Sequence, residues 1–190
     1  MDQKYYHIHK KGINDNMWKI GNIIEIKEND FINRCLNFTN VINAYNNTNV
    51  PLQNVIDYSM QINDVQTQIS LLPIARSAIL EYAMLIRELV YEEVRKEKYS
   101  HLPSRHNCIW LCRKEQIEYW KEQILCECEI FEIQVFGPVH KTRNLYISLP
   151  SDDYYTIKKK AKEYWSENTN SLYEDDEYLY SGKFKILGGI

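Results

Sequence analysis

The chain has 190 residues, 44% of them apolar and 26% charged, with a formal net charge of −3. That length buries a full core without disulfides or metals, and the composition excludes wholesale disorder and collagen-like architecture. No apolar run approaches the ~18 residues of a membrane helix, the start Met1-Asp2-Gln3-Lys4 lacks the apolar core of a secretion signal, and the small negative charge gives no overall pull toward nucleic acid; a cytoplasmic protein without membrane contact is expected.

Tyr5 to Lys10 is aromatic and β-branched and reads as a strand, with Tyr5, His7 and His9 on one face and Tyr6 and Ile8 on the other. A turn over Gly12 to Asn16 leads to an extended piece, Trp18 to Ile26, read as an excursion beside the first strand rather than part of the main sheet. Asp30 to Tyr45 has Phe31, Cys35, Phe38, Ile42 and Tyr45 near helical spacing. The polar stretch Asn46 to Asp64 reads as loop with a helical turn. The strongest helix spans Leu71 to Lys98, with Ser70 as N-cap and Pro73 in the first turn. Its apolar stripe, from Leu71 through Ala78, Tyr82 and Leu85 to Leu89, is widened by Ile79, Ile86 and Val90, which marks a core helix.

Beyond a loop at His101 to Asn107 the texture turns to strands. Cys108 to Cys112 reads as a short buried strand, Lys114 to Leu125 as a helix with Ile117, Trp120 and Ile124 inward, and Cys126 to Phe136 as a long strand. Asn144 to Leu149 reads as another strand, and Ser151 and Asp152 as caps of a helix from Tyr154 to Trp165. Glu177 to Leu187 closes the chain as a strand pair or a strand bent at Gly182. The sum is an α+β fold in a single domain, 1–190, with a helical insertion over about 28–100.

Several chemistries find no support in these residues. Cys108, Cys112, Cys126 and Cys128 lie in segments read as strands, not in the tight knuckles that structural zinc prefers, so no metal site is expected. The six glycines form no phosphate-binding fingerprint. The Lys158-Lys159-Lys160 run reads as a solvated helix face.

Three segments together carry a resemblance. Tyr5-Tyr6-His7-Ile8-His9 is similar to the first strand of ADP-ribosyltransferases of the poly-ADP-ribose polymerase and diphtheria-toxin type, where a hydrophobic pair precedes His-Gly-Ser or His-Gly-Thr. Cys108-Ile109-Trp110-Leu111-Cys112, followed by a helix, resembles their Gly-Ile-Tyr-Phe-Ala strand, and Asp176-Glu177-Tyr178-Leu179-Tyr180 resembles their Glu-Tyr-x-Val-Tyr strand. Ser104-Arg105 and Tyr164-Trp165 match steps found in bacterial, toxin-like members of unassigned function. The match covers the two ends of the chain; residues 12–100 are read only as mostly helical.

The resemblance implies a split, mostly antiparallel sheet and transfer of ADP-ribose from NAD, used as a substrate, to a macromolecular acceptor, protein or nucleic acid, with release of nicotinamide. Nicotinamide leaves NAD⁺ as a neutral base, so the site has chiefly to stabilise an oxocarbenium-like ribose, as glycosidases do. A carboxylate supplies that electrostatically, and Glu177 is the implied catalytic residue. His7 and His9 are the implied contacts on the first strand, Trp110 the ring beside nicotinamide, and Arg105, with Arg76 as second choice, the pyrophosphate ligand. Asp175 is offered as an acceptor contact. The sequence departs from the family where Ile8 replaces the Gly, His9 the Ser or Thr, and Trp110 the Tyr. Taken singly, His7 reads as a half-buried structural residue, Trp110 as core, Glu177 as the end of an acidic loop, and Arg105 as a partner for any nearby acid. NAD hydrolysis with water as acceptor, and an inactive relative that binds without turnover, are the alternatives.

Overall fold

The computed structural model describes residues 4–27, 32–33, 40–42, 49–61, 65–124, 126–166 and 171–190. The chain divides into two compact units: Met1–Asn29 with Val90–Ile190, and Asp30–Leu89. The described strands are β1 (Tyr5–Lys10), β2 (Ile23–Glu25), β3 (Asn40–Ile42), β4 (Asn49–Pro51), β5 (Ile109–Leu111), β6 (Cys128–Val135), β7 (His140–Arg143), β8 (Asp176–Tyr180) and β9 (Lys183–Gly189). The described α-helices are α1 (Leu52–Gln61), α2 (Val65–Lys98), α3 (Ile117–Ile124) and α4 (Tyr154–Ser166).

The larger unit holds two antiparallel sheets, in the orders β1-β6-β9-β2 and β5-β8-β7. An isolated bridge joins them, Tyr6 to Cys112, through amide-to-carbonyl bonds of 2.9 and 2.8 Å. This is an α+β fold with mostly antiparallel sheets. Alternation along the strands sorts their side chains into separate cores. Tyr5, Ile109, Leu111, Phe131, Tyr178, Tyr180, Phe184 and Ile186 come together from both sheets. On the opposite face of β5 and β8, Leu179 and Cys108 pack against α4 and the last turns of α2, with Tyr91, Val94, Tyr164 and Trp165 fully buried.

β8 and β9 follow each other closely yet pair in different sheets, so of the two expected closings the chain takes the one bent at Gly182, crossing from one sheet to the other, and not a paired hairpin. Gly182 makes the crossing at φ +132°, where a Cβ would come within 3.0 Å of the Tyr180 hydroxyl. That hydroxyl donates to the carbonyl of Lys183 at 2.8 Å and accepts the amide of Phe136 at 3.2 Å, tying both sheets to the turn. Glycine satisfies both demands at once.

Other expectations need correction. β2 is an edge strand of the four-stranded sheet, paired with β9, not an excursion beside β1. The strand read at Asn144 to Leu149 is a 3₁₀ turn, Asn144–Tyr146, and the strand is the polar segment just before it. As an edge strand β7 needs only one buried residue, and Thr142 supplies it, donating its hydroxyl to the Tyr164 carbonyl at 2.7 Å. Asp153, rather than Ser151 or Asp152, caps α4 through the amide of Thr156 at 2.9 Å. Ile124, expected inward, is exposed.

In the smaller unit, β3 and β4 form an antiparallel pair. Most of the helix read over Asp30 to Tyr45 lies outside the described residues; Ile32 and Asn33 are helical, and Asn40 to Ile42 is strand. The segment read as loop with a helical turn carries β4 and the ten-residue helix α1. α2 starts at Val65, so Ser70 is not its cap and Pro73 lies inside it. Its apolar stripe is not core throughout, because Ile79, Tyr82, Ile86 and Leu89 are exposed. No helix among the described residues is long and apolar enough to cross a membrane.

Candidate functional site

The sheet order puts the three strands singled out by the sequence near one another: β1 bridges to β5 at Tyr6–Cys112, and β5 pairs with β8. β5 and β8 register as Ile109 to Tyr180, Trp110 to Leu179 and Leu111 to Tyr178. Since Tyr178 and Tyr180 face the core shared by the sheets, Glu177 lies on the other face, the face that also carries Trp110. Beyond the bridge, contact between β1 and β5 passes to a side chain: His7 Nδ1 donates to the Trp110 carbonyl at 2.9 Å. The carbonyl can only accept, so the proton is on Nδ1 and the neutral ring keeps Nε2 as an acceptor.

Glu177 is 7% exposed and Arg105 5%. Arg105 Nη1 donates to Glu177 Oε1 at 3.2 Å and to the Tyr164 hydroxyl at 2.5 Å, and that hydroxyl donates to the same carboxylate oxygen. The guanidinium sits among three aromatic rings, 5.1 Å from Tyr164, 5.3 Å from Trp110 and 5.8 Å from Tyr91. Burial pushes the Tyr164 phenol well above its ordinary pKa of 10, with Glu177 adding to the rise and Arg105 opposing it. Tyr164 therefore remains a protonated donor across the working pH range.

The contacts run in a chain from His7 to the Trp110 main chain, from the Trp110 ring to Arg105, and from Arg105 to Glu177. His9 is outside this chain: it is buried, stacks on Trp18 at 4.5 Å, and its Nε2 bonds Asp15 at 3.0 Å. Trp18 also stacks on His7 at 4.6 Å, so one indole covers both imidazoles. Asp175 is held by Arg143 at 2.8 Å and by the amide of Leu145 at 2.9 Å. Arg76 belongs to the smaller unit. The Cys112 thiol packs beside Tyr6 and Ile117, and burial pushes its pKa up to about 12.

A cleft of about 1030 Å³ opens nearby. Its walls include Tyr5, Ser104, Arg113 and Tyr178, close neighbours in sequence of expected residues, together with His140 and Lys141 of β7, but none of the expected residues themselves. Arg113 anchors this wall, 4.0 Å from the Tyr5 ring centre and 5.0 Å from that of Tyr178, with Nη1 donating to the Lys4 carbonyl at 2.7 Å. Sequence reasoning missed Arg113, Trp18 and Tyr91. Tyr164 was visible only as half of a dipeptide, with nothing to link it to Glu177.

Burial lowers the His7 pKa from 6.5 to about 4, more than the Trp110 carbonyl can restore. Between those values the unfolded chain binds the proton that folded His7 refuses. Stability is thus fully present above pH 6.5 and falls as pH drops toward 4, by up to about 1.4 kcal/mol per unit. We expect His7→Asn to flatten that slope in urea titrations at pH 4.5, 5.5 and 6.5; an unchanged slope would assign the loss to another group.

The family model described as "Protein of unknown function (DUF2441)" matches residues 5–190. No curated protein matches the chain.

Proposed function

For this chain, which belongs to DUF2441, we propose NAD-dependent ADP-ribosyl transfer in an ADP-ribosyltransferase-type split sheet. The observation that carries the reading is the adjacency of β1, β5 and β8, with an indole and a carboxylate on one face of the last two. The resemblance of their sequences to the three family strands gives that adjacency its meaning. In the proposed reaction the bond between the ribose anomeric carbon and the nicotinamide nitrogen breaks, and its electron pair leaves with nicotinamide. The acceptor nucleophile attacks the anomeric carbon and loses its proton to solvent. Glu177 stabilises the cationic ribose as charge develops. Neutral His7 accepts a ribose hydroxyl at Nε2, and Trp110 provides the ring beside nicotinamide. The closed Arg105–Glu177 pair has to open first; a ribose hydroxyl on Oε1 takes the place of one of its two donors.

That same pair favours a second reading, a module that binds an ADP-ribose-like ligand without turnover, since a carboxylate sealed by a guanidinium and a phenol is poorly placed for chemistry. Incubation with adenylate-labelled NAD and cell lysate separates the readings. Transfer labels a macromolecule, hydrolysis yields free ADP-ribose, and thermal stabilisation by NAD with neither product supports the module. No product and no stabilisation would remove NAD from the account.

A further inference from the structure

α2 carries large apolar side chains that stand open to solvent. Val65, Ile69, Leu72, Ile79, Tyr82, Ile86 and Leu89 are each between 45 and 69% exposed. Leu72, Ile79 and Ile86 recur every seven residues, and Ala75, Tyr82 and Leu89 repeat the same interval three positions on. That is the 3.5-residue repeat of a seam between two helices, not the broader stripe of a helix lying on a sheet. The pattern stops where the smaller unit stops: the next positions of the repeat are Glu93 and Lys96. Seven side chains about half or more open to solvent present several hundred Å² of apolar surface, at or above the roughly 300–600 Å² of the largest patch on a typical monomer.

We propose that this seam is a self-association surface, on which the α2 helices of two copies of the chain pair antiparallel. Two faces of this size together remove on the order of 1,000 Å² from water, where specific interfaces begin. The charges of the segment, Arg76, Glu81, Arg87 and Glu88, cancel, so like copies approach without net repulsion. Side-chain volume sets the direction. In a parallel, in-register pair Ala75 meets Ala75 and Tyr82 meets Tyr82, a gap followed by a crowded layer. Reversing one helix sets Ala75 against Ile86, Ile79 against Tyr82 and Leu72 against Leu89, so that each small residue faces a large one. A two-fold axis relates the copies and closes the interface, leaving no open end for further addition.

Sedimentation of the full chain between 1 and 100 μM tests this. The expected species has twice the 22.8 kDa chain mass, and Ile79→Glu returns it to a monomer that keeps the far-ultraviolet circular dichroism of the native chain and melts cooperatively, since Ile79 is 66% exposed. Leu72→Glu serves as the second variant and should act alike. Mild oxidation of a mixture of Leu72→Cys and Leu89→Cys proteins should give a mixed disulfide dimer that neither protein forms alone. A wild-type monomer at 100 μM, or a dimer indifferent to both glutamate substitutions, overturns the proposal. A Leu72→Cys protein that cross-links to itself overturns the antiparallel arrangement.

Discussion

Replacing Glu177 by glutamine is expected to lower NAD consumption by about 10²–10³-fold, the usual loss when one preorganised electrostatic partner of a developing charge is removed. The argument needs the carboxylate's charge, because the cationic ribose is the species stabilised. An amide of nearly the same shape keeps an acceptor for the Tyr164 hydroxyl but gives up that charge. It also leaves Arg105 buried without its counter-ion, so some loss of stability accompanies the loss of activity. The two effects separate in one experiment. Turnover measured well below the melting temperature of the variant, beside NAD affinity from thermal shift, should show lost catalysis with binding retained. Unchanged turnover would take Glu177 out of the mechanism, and lost binding with lost turnover would assign it to holding the ligand.

Much of the fold could be read at the ends of the chain because the physics there is local. Tyr5, His7 and His9 alternate with Tyr6 and Ile8, and a strand sends the two sets to opposite faces, Tyr5 into one core and Tyr6 into another. β7 escaped notice because an edge strand with one buried threonine has no apolar period to detect. The α2 stripe was legible as a period, but a period does not say which side is covered, so exposed Ile79 and Ile86 were read as core. α1 is legible only as a helical turn, and its ten-residue length is masked by asparagine-rich surroundings that favour loop.

The candidate site divides in the same way. The motifs picked out three segments that are strands, whereas the cover that Trp18 lays over two imidazoles has no sequence signal, since stacking across a loop leaves no periodicity. The partnership of Arg105 with Glu177 spans 72 positions; the sequence could offer acids for Arg105 but not choose among them.

That partnership supports the second large expectation, which holds whatever the activity. Arg105→Ala should destabilise the folded chain by about 3–5 kcal/mol, because it leaves a nearly dry carboxylate without its cation and empties the space between Tyr91, Trp110 and Tyr164. Burial makes the loss large; an exposed ion pair would contribute about 0–1 kcal/mol. Arg105→Met refills the space with a flexible apolar chain but still strands the carboxylate, so alone it should recover only part of the loss. Combined with Glu177→Gln it removes both charges and keeps an acceptor for the Tyr164 hydroxyl. The double variant should therefore lose less than the sum of the two single losses, by at least about 1 kcal/mol, the scale of coupling between residues in direct contact. Denaturant titration of wild type, Arg105→Ala, both single variants and the double gives the coupling directly. Additive losses would mean that the two charges do not sense each other, and that the geometry around Tyr164 is held by the surrounding rings alone.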